Sequence, residues 1–308
     1  MRLVLTGLFF PMAILRFFER ALQRREDVEL FTFGPYAGSW IPWNGGMHLP
    51  GKYATPPNLP MALMSGQTSV APVPFSFVED QLPWQPDLWL QVDAGFSLTG
   101  KPRQGLNFIV ATDPHVLSYD RQRKDADRLF CMQKVYAQPG DEYLPYAYDP
   151  TVHYPLPDEG QTHDATLVGL AYDNRMQLAQ TLLHAGVQVE TGLGPVFDEY
   201  REIYCAAPIA LSWSSRDDLI ARVFEGLAMR RLVVCNHVTD LPEFFEDGVD
   251  LVVFRSLREA VEKVRYYLAH RNELDRVAAS GHAAVRPHTY DARLSMVLEI
   301  AEMALTYG

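Results

Sequence analysis

The sequence predicts an α/β protein built as two open domains with parallel sheets, and three features of the chain predict it. At 308 residues it is about twice the length of an ordinary single domain, so each half is long enough to bury its own core. Through the second half, short apolar runs alternate with amphipathic helical patterns in regular order, which is the signature of βαβ units. Between the halves lies "EYLPYAYDPTVHYPLPDEGQTHD" (142–164), with four prolines and little periodicity, which reads as a linker. The expected division is therefore 1–155 and 156–288, followed by a last segment at 289–308. Two such domains facing one another predict a cleft at the carboxyl ends of both sheets, where ligands of open α/β folds bind.

In the first half, "RLVLTGLFF", "VELFTFG", "DLWLQVDAG" and "NFIVATD" read as strands, with helices between only some of them. The opening "LVLTGLFFPMAIL" is broken by Gly7 and Pro11 and falls short of the roughly 18 apolar residues of a membrane span. "MRLVLTGLFFPM" supplies only the apolar part of a signal peptide, so it reads as a first buried strand entering a loop at Gly7. Residues 35–86 are rich in Pro, Gly and Trp and read as long loops, which in a compact domain carry function or move. Trp40 and Trp43 in those loops have two readings, stacking on a sugar or base and filling the core.

In the second half, "ATLVGLAY" (165–172) is a strand, and the next helix sets Met176, Ala179, Leu182 and Leu183 on one stripe before Gly186 closes it. "VQVETG" is a second strand, "PVFDEYREIYCAA" a helix with Pro195 in its first turn, and "PIALSWS" (208–214) a third strand. A helix in "ARVFEGLAM" leads to the strand "RLVVCN" (231–236). "LPEFFEDG" reads as a short helix ended by Gly248, and "LVVFRS" (251–256) as a fifth strand. From Leu257 the chain is helical almost to its end, with breaks expected near Gly281 and Pro287.

Composition narrows the function. Hydrophobic residues make up 48% and charged residues 21%, as in an ordinary globular protein. Cys131, Cys205 and Cys235 are widely spaced in apolar settings, which argues against a disulfide framework or a zinc site and for a reducing cytoplasm. The net charge of −11 argues against a general nucleic-acid coat, since such binding needs a cationic surface. "KPRQG" (101–105) and "DRQRKDADR" (120–128) are local basic runs, and a mixed charge run usually marks a solvated helix face. There is no Walker A loop, no H-E-x-x-H and no G-x-S-x-G, so P-loop kinases, metal hydrolases and serine hydrolases have no support.

Several stretches taken together resemble the CgeB-like glycosyltransferases, a branch of the two-domain GT-B sugar-nucleotide transferases. They are "ATLVGLAYDNR", "ARVFEGLAMRRLVV", "LPEFFEDGVDLVVF", "LREAVEKVRYYLAHRNELDRVAASG" and "HTYDARL" in the second half, with "PDLWLQVDAG", "TDPHVLSYDRQRKDADRLFCMQKVY" and "LPYAYDPTVH" in the first. The resemblance implies two Rossmann-like domains, the nucleotide-sugar donor held mainly by the second and the acceptor by the first. It also implies a last helix, about 289–305, that crosses back onto the first domain.

Glycosyl transfer needs its diphosphate leaving group stabilised as negative charge builds on it. Without a metal, that task falls to cations, backbone N–H groups and helix dipoles. Arg222 and Glu225, three residues apart, share one helix face. Spacing alone leaves open both a surface ion pair and a ligand-gripping pair. The family's R-x-F/L-E motif falls on these positions and favours the second, with the guanidinium forked onto phosphate oxygens and the carboxylate accepting the ribose hydroxyls. Gly226 follows in the same motif. Related retaining enzymes show Glu, seven residues, Glu, and the first of these positions is Asp217 here. That departure leaves two roles for Asp217, reaching the sugar or joining Ser215 in capping the helix.

Arg175 begins the helix after the first strand of the second half, and Asn236 and His237 leave its fourth strand. All three are donor-site candidates, beside the plainer readings of a solvated arginine and a turn. In the first half, Asp93, Asp113 and His115 stand at strand ends, where a base for the acceptor proton would be placed; capping and core roles stay open for them. His153 reads as structural or hinge-lining. The expectation is a cytoplasmic transferase without metal or cofactor beyond its nucleotide-diphosphate-sugar co-substrate, UDP-sugar first. Its acceptor is a protein, a glycan, a small molecule or modified DNA. The alternatives are a sugar-nucleotide epimerase of the same fold and a catalytically silent nucleotide-sugar-binding partner protein.

Overall fold

The computed structural model describes residues 1–9, 13–34, 64–65, 69–70, 73–93, 96, 98–157, 160–169, 172–192 and 197–307. Trp40, Trp43 and Pro195 lie outside them. The chain forms two compact units, Met1–Pro145 with Tyr290–Gly308, and Tyr146–Thr289. The division falls before the 155/156 boundary expected from the sequence. Residues 146–153 pack into the second unit, with Asp149, Val152 and His153 buried.

The first unit contains β1 (Arg2–Gly7), α1 (Leu15–Gln23) and β2 (Glu29–Phe33), then the two-residue strands β3 (Met64–Ser65), β4 (Ser69–Val70) and β5 (Val73–Pro74). It continues with α2 (Phe75–Glu79), β6 (Leu88–Asp93), β7 (Leu98–Thr99), β8 (Leu106–Ala111), α3 (Asp120–Asp125), β9 (Arg128–Cys131) and β10 (Glu142–Tyr143). Six strands form one parallel sheet in the order β10-β9-β8-β6-β1-β2. Its central strands are nearly continuous apolar runs because both faces are covered, as parallel sheets require. Among the buried polar exceptions, Gln91 in β6 and Asn107 in β8 satisfy each other: the Gln91 amide donates to Asn107 Oδ1 at 2.6 Å, and Gln91 Oε1 accepts from the Leu98 N–H at 2.8 Å.

The last helix, Tyr290–Tyr307, belongs to this first unit. Its Tyr290 ring stacks on Phe17 at 5.2 Å, and Asp291 takes a forked pair of bonds from Arg24 at 2.7 and 2.9 Å. Among the described residues no helix is long and apolar enough to cross a membrane.

The second unit contains β11 (Ala165–Val168), α4 (Asp173–His184), β12 (Val189–Gly192), α5 (Phe197–Cys205), β13 (Ile209–Ser212) and α6 (Ala221–Ala228). β14 (Leu232–Asn236), β15 (Val252–Phe254), α7 (Leu257–Ala269) and α8 (Arg271–Val285) follow. Its five strands are parallel in the order β12-β11-β13-β14-β15. The chain winds outward from β11 to β12, then crosses back to β13 on the other side. The carboxyl ends of β11 and β13 are therefore the topological switch point, where helices diverge and leave a crevice.

Two sequence expectations are corrected here. The buried stripe of α4 is Arg175, Leu178, Ala179 and Leu182, whereas Met176 and Leu183 are exposed. The core is thus met one position away from the stripe that periodicity favoured, and a buried arginine takes the place of a methionine. Gly281 does not break a helix: α8 runs through it, and the break falls between α7 and α8 instead. Glycine is required there by close approach, since a Cβ would lie 2.1 Å from the Asp250 carbonyl oxygen and 2.6 Å from Leu227 Cδ2. Gly281→Ala is expected to destabilise the chain by about 1–3 kcal/mol, the range for overpacking, and to lower Tm in thermal unfolding; an unchanged Tm contradicts this packing.

Candidate functional site

The switch point of the second unit is shaped by Gly169, which ends β11 at a φ of +124° that L side chains rarely adopt. Its N–H donates to the Gly192 carbonyl at 2.8 Å. A Cβ at this position would lie 3.1 Å from Arg222 Cζ and Nη2, so the guanidinium of Arg222 rests directly on the glycine backbone. Arg222 stands in the first turn of α6, and its Nη1 is buried with no hydrogen-bond partner among the described residues.

A second guanidinium shares the place. Arg175, in the first turn of α4, is only 6% exposed; its Nε donates to the Trp213 carbonyl at 3.1 Å, and it lies 4.9 Å from the centre of the Tyr172 ring. Burial, and then the neighbouring charge of Arg222, push its pKa down to about 10. A buried cation and a half-buried one that raise each other's energy, each at a helix start, make a site that an anion would relieve.

Glu225 sits one turn further along α6, 6% exposed. It does not pair with Arg222, so the surface ion pair considered for this spacing is not what forms. Its Oε2 accepts a hydrogen bond from the Tyr200 hydroxyl at 2.5 Å, and its Oε1 faces His153 Nε2 at 3.8 Å. Burial, followed by the charge of Glu225, raises the Tyr200 pKa well above 10, so the hydroxyl stays a donor. Gly226 is explained by packing: a Cβ would meet Val233 Cγ2 at 2.8 Å and Ala210 Cβ at 3.2 Å, so its absence lets α6 lie close on β13 and β14.

The other donor-site candidates build the loops around this centre. Asp217, at a φ of +54°, is exposed and accepts from the Thr239 N–H (2.8 Å) and hydroxyl (2.6 Å). Ser215 bonds Asn174, and α6 has no side-chain cap, so the capping role weighed for Asp217 and Ser215 is not observed. The carboxylate directed inward is the next one, Asp218, which is buried, bonded to the Ser214 hydroxyl, and close enough to Arg175 for its charge to act there. Asn236 clasps Ser214 by both its N–H (2.7 Å) and its carbonyl (3.1 Å), tying the ends of β13 and β14. His237 is exposed, with its own N–H bonded to the Phe254 carbonyl.

Sequence reasoning missed Tyr200 and Asp218 and did not connect His153 to Glu225. A tyrosine in an amphipathic helix looks like core, and the histidine stands far from α6 in sequence.

In the first unit, Asp93 ends β6, and its side chain is outside the described residues. Asp113 follows β8, accepts from the Thr112 hydroxyl at 2.8 Å, and opens a turn through its carbonyl. His115 lies within that turn, with Nδ1 3.0 Å from Gln133 Oε1. The two share a loop but not a hydrogen bond. An N–H donated from Nδ1 to Gln133 leaves Nε2 as the proton-accepting nitrogen.

Comparison with known proteins fits this geometry. The profile of the family described as Glycosyl transferase-like matches residues 155–299. No curated protein matches the chain by sequence. Among solved structures, an alpha-glucosyltransferase in complex with UDP-glucose and DNA containing an abasic site superposes with a TM-score of 0.69 at 10% identity, covering 98% of this chain and 99% of that one. Sucrose-phosphate synthase from Thermosynechococcus elongatus superposes at 0.63 with 10% identity over 100% of both chains. Anabaena HepE in complex with UDP and glucose also gives 0.63, at 13% identity over 98% and 99%. The fold is that of the GT-B glycosyltransferases, with two parallel-sheet domains.

Because Arg222 and Arg175 repel one another, Arg222→Met is expected to leave Tm unchanged or raise it, while weakening the affinity for inorganic pyrophosphate measured by calorimetry. A clear drop in Tm contradicts the view that this guanidinium awaits a ligand.

Proposed function

We propose that this chain is a glycosyltransferase that takes a sugar from a nucleoside-diphosphate donor, UDP-sugar first, and delivers it to an acceptor hydroxyl. The observation that carries the reading is the buried Nη1 of Arg222, without a hydrogen-bond partner among the described residues, beside Arg175 at the switch point of the second unit. As the bond from sugar to phosphate lengthens, negative charge accumulates on the diphosphate. Two fixed guanidinium groups in a poorly solvated place stabilise that charge without reorganising, and no metal is assigned to the task. Glu225, one helical turn away, offers its remaining lone pairs to the ribose hydroxyls, since a carboxylate accepts about four hydrogen bonds and only part of that capacity is used by Tyr200 and His153. In the first unit, His115 Nε2 is the group assigned to the acceptor proton, with Asp113 and Asp93 on neighbouring strand ends. The UDP preference is supported by the UDP and UDP-glucose bound in the similar structures, and the resemblance of the sequence stretches supports the CgeB-like branch.

Arg222→Ala is expected to weaken UDP binding about tenfold or more, as charge-assisted hydrogen bonds worth about 1.5–3 kcal/mol would, with a much smaller effect on uridine. Equal losses for both ligands by calorimetry remove Arg222 from the phosphate role. His115→Ala is expected to lower sugar transfer by about 10²-fold, the usual scale for a lost general base, while UDP affinity stays at the wild-type value. Full transfer activity in that variant overturns the assignment of the base.

A further inference from the structure

Glu225 is held from two sides by groups on separate segments of the second unit. Tyr200, in α5, donates its hydroxyl to Oε2 at 2.5 Å. His153 comes from the half-buried turn near the start of the unit, where it is itself buried. Its Nδ1 accepts the Asp149 N–H at 3.1 Å, so its proton sits on Nε2, the nitrogen that faces Oε1 at 3.8 Å. That turn is itself locked. Asp149 Oδ1 accepts from both the N–H and the hydroxyl of Thr151 at 2.8 Å, and Arg201 of α5 donates to the Val152 carbonyl at 3.0 Å. The Tyr200 ring lies edge-on to His153 with centroids 5.8 Å apart, so the two partners of the carboxylate also brace each other.

A carboxylate on a helix rotates freely about its last bond unless something stops it. A buried glutamate hydrogen-bonded at one oxygen by Tyr200 and faced at the other by His153 Nε2 has its carboxylate plane restricted, with its outward lone pairs directed away from both. We propose that Tyr200 is a positioning residue, backed by His153, which sets the carboxylate plane of Glu225 so that it meets both hydroxyls of a ribose at once. This rests on the nucleotide-binding reading above and deepens it. Specificity for ribose over deoxyribose then depends on a tyrosine that touches no ligand.

The test is calorimetry with uridine, 2′-deoxyuridine and inorganic pyrophosphate on the wild type, Tyr200→Phe, Glu225→Gln and the double variant, each checked for an intact melting transition. Tyr200→Phe removes one oxygen and keeps the ring that packs against Tyr204 and His153. The expected result is a loss of about tenfold in uridine affinity, the scale of one charge-assisted hydrogen bond, with a narrowed preference for uridine over deoxyuridine and unchanged pyrophosphate binding. In the Glu225→Gln background the same change should add nothing, because Tyr200 acts only through that carboxylate. Wild-type uridine affinity in Tyr200→Phe alongside a weakened Glu225→Gln overturns this proposal alone. So does a loss that adds fully to that of Glu225→Gln. Wild-type affinity in Glu225→Gln, or no uridine binding by the wild type, overturns the ribose role of Glu225 and this proposal with it.

Discussion

The contact on which the rest of the second unit depends is that between the Arg222 guanidinium and the backbone of Gly169. A side chain at residue 169 would occupy the space of the guanidinium, and the φ of +124° there excludes almost anything but glycine. The strand end is bare so that a cation can lie flat against it. Around that contact the chain arranges a second guanidinium, the buried Arg175, and leaves Arg222 Nη1 without a hydrogen-bond partner among the described residues. A fold that needed only stability has no use for two like charges brought together in a poorly solvated place, since taking charge out of water costs free energy. The two guanidinium groups meet at the switch point of a parallel sheet, where open α/β folds bind ligands.

The surrounding polar groups divide into two kinds. Asp217, Ser215 and Asn236 tie loop to loop and strand end to strand end, and so hold the crevice open in a fixed shape. Asp218, Tyr200 and His153 act on the charged residues themselves, the first through its charge on Arg175 and the other two on the Glu225 carboxylate. The loops position the site, and the buried side chains set its electrostatics.

Much of this was legible in the sequence, for physical reasons that can be named. The strands of the second unit were readable because both faces of a parallel sheet are buried, so each strand is a short unbroken apolar run between helix patterns. Arg222 and Glu225 were readable because two opposite charges stand on one face of an otherwise apolar helix. What escaped was what the chain brings together from far apart. His153 reaches Glu225 from residues that looked like a proline-rich linker, and nothing in local pattern shows that Asp149, Val152 and His153 are buried there. Periodicity misplaced the stripe of α4 because it assigns the core to methionine before arginine, whereas here Arg175 is buried and Met176 exposed. Gly281 looked like a helix break because sequence does not show the Asp250 carbonyl that lies against it. In the first unit, β9 and β10 are short strands that carry too few residues to reveal a period, so the sheet proved wider than its sequence suggested.

The central claim is that the diphosphate of a nucleotide sits on the two arginines at the end of β11. A crystal structure of the chain with UDP tests it most directly. The account predicts phosphate oxygens within hydrogen-bond distance of Arg222 Nη1 and facing Arg175, with the ribose toward Glu225. A nucleotide bound elsewhere in clear density, with both guanidinium groups left as they are without ligand, would contradict it.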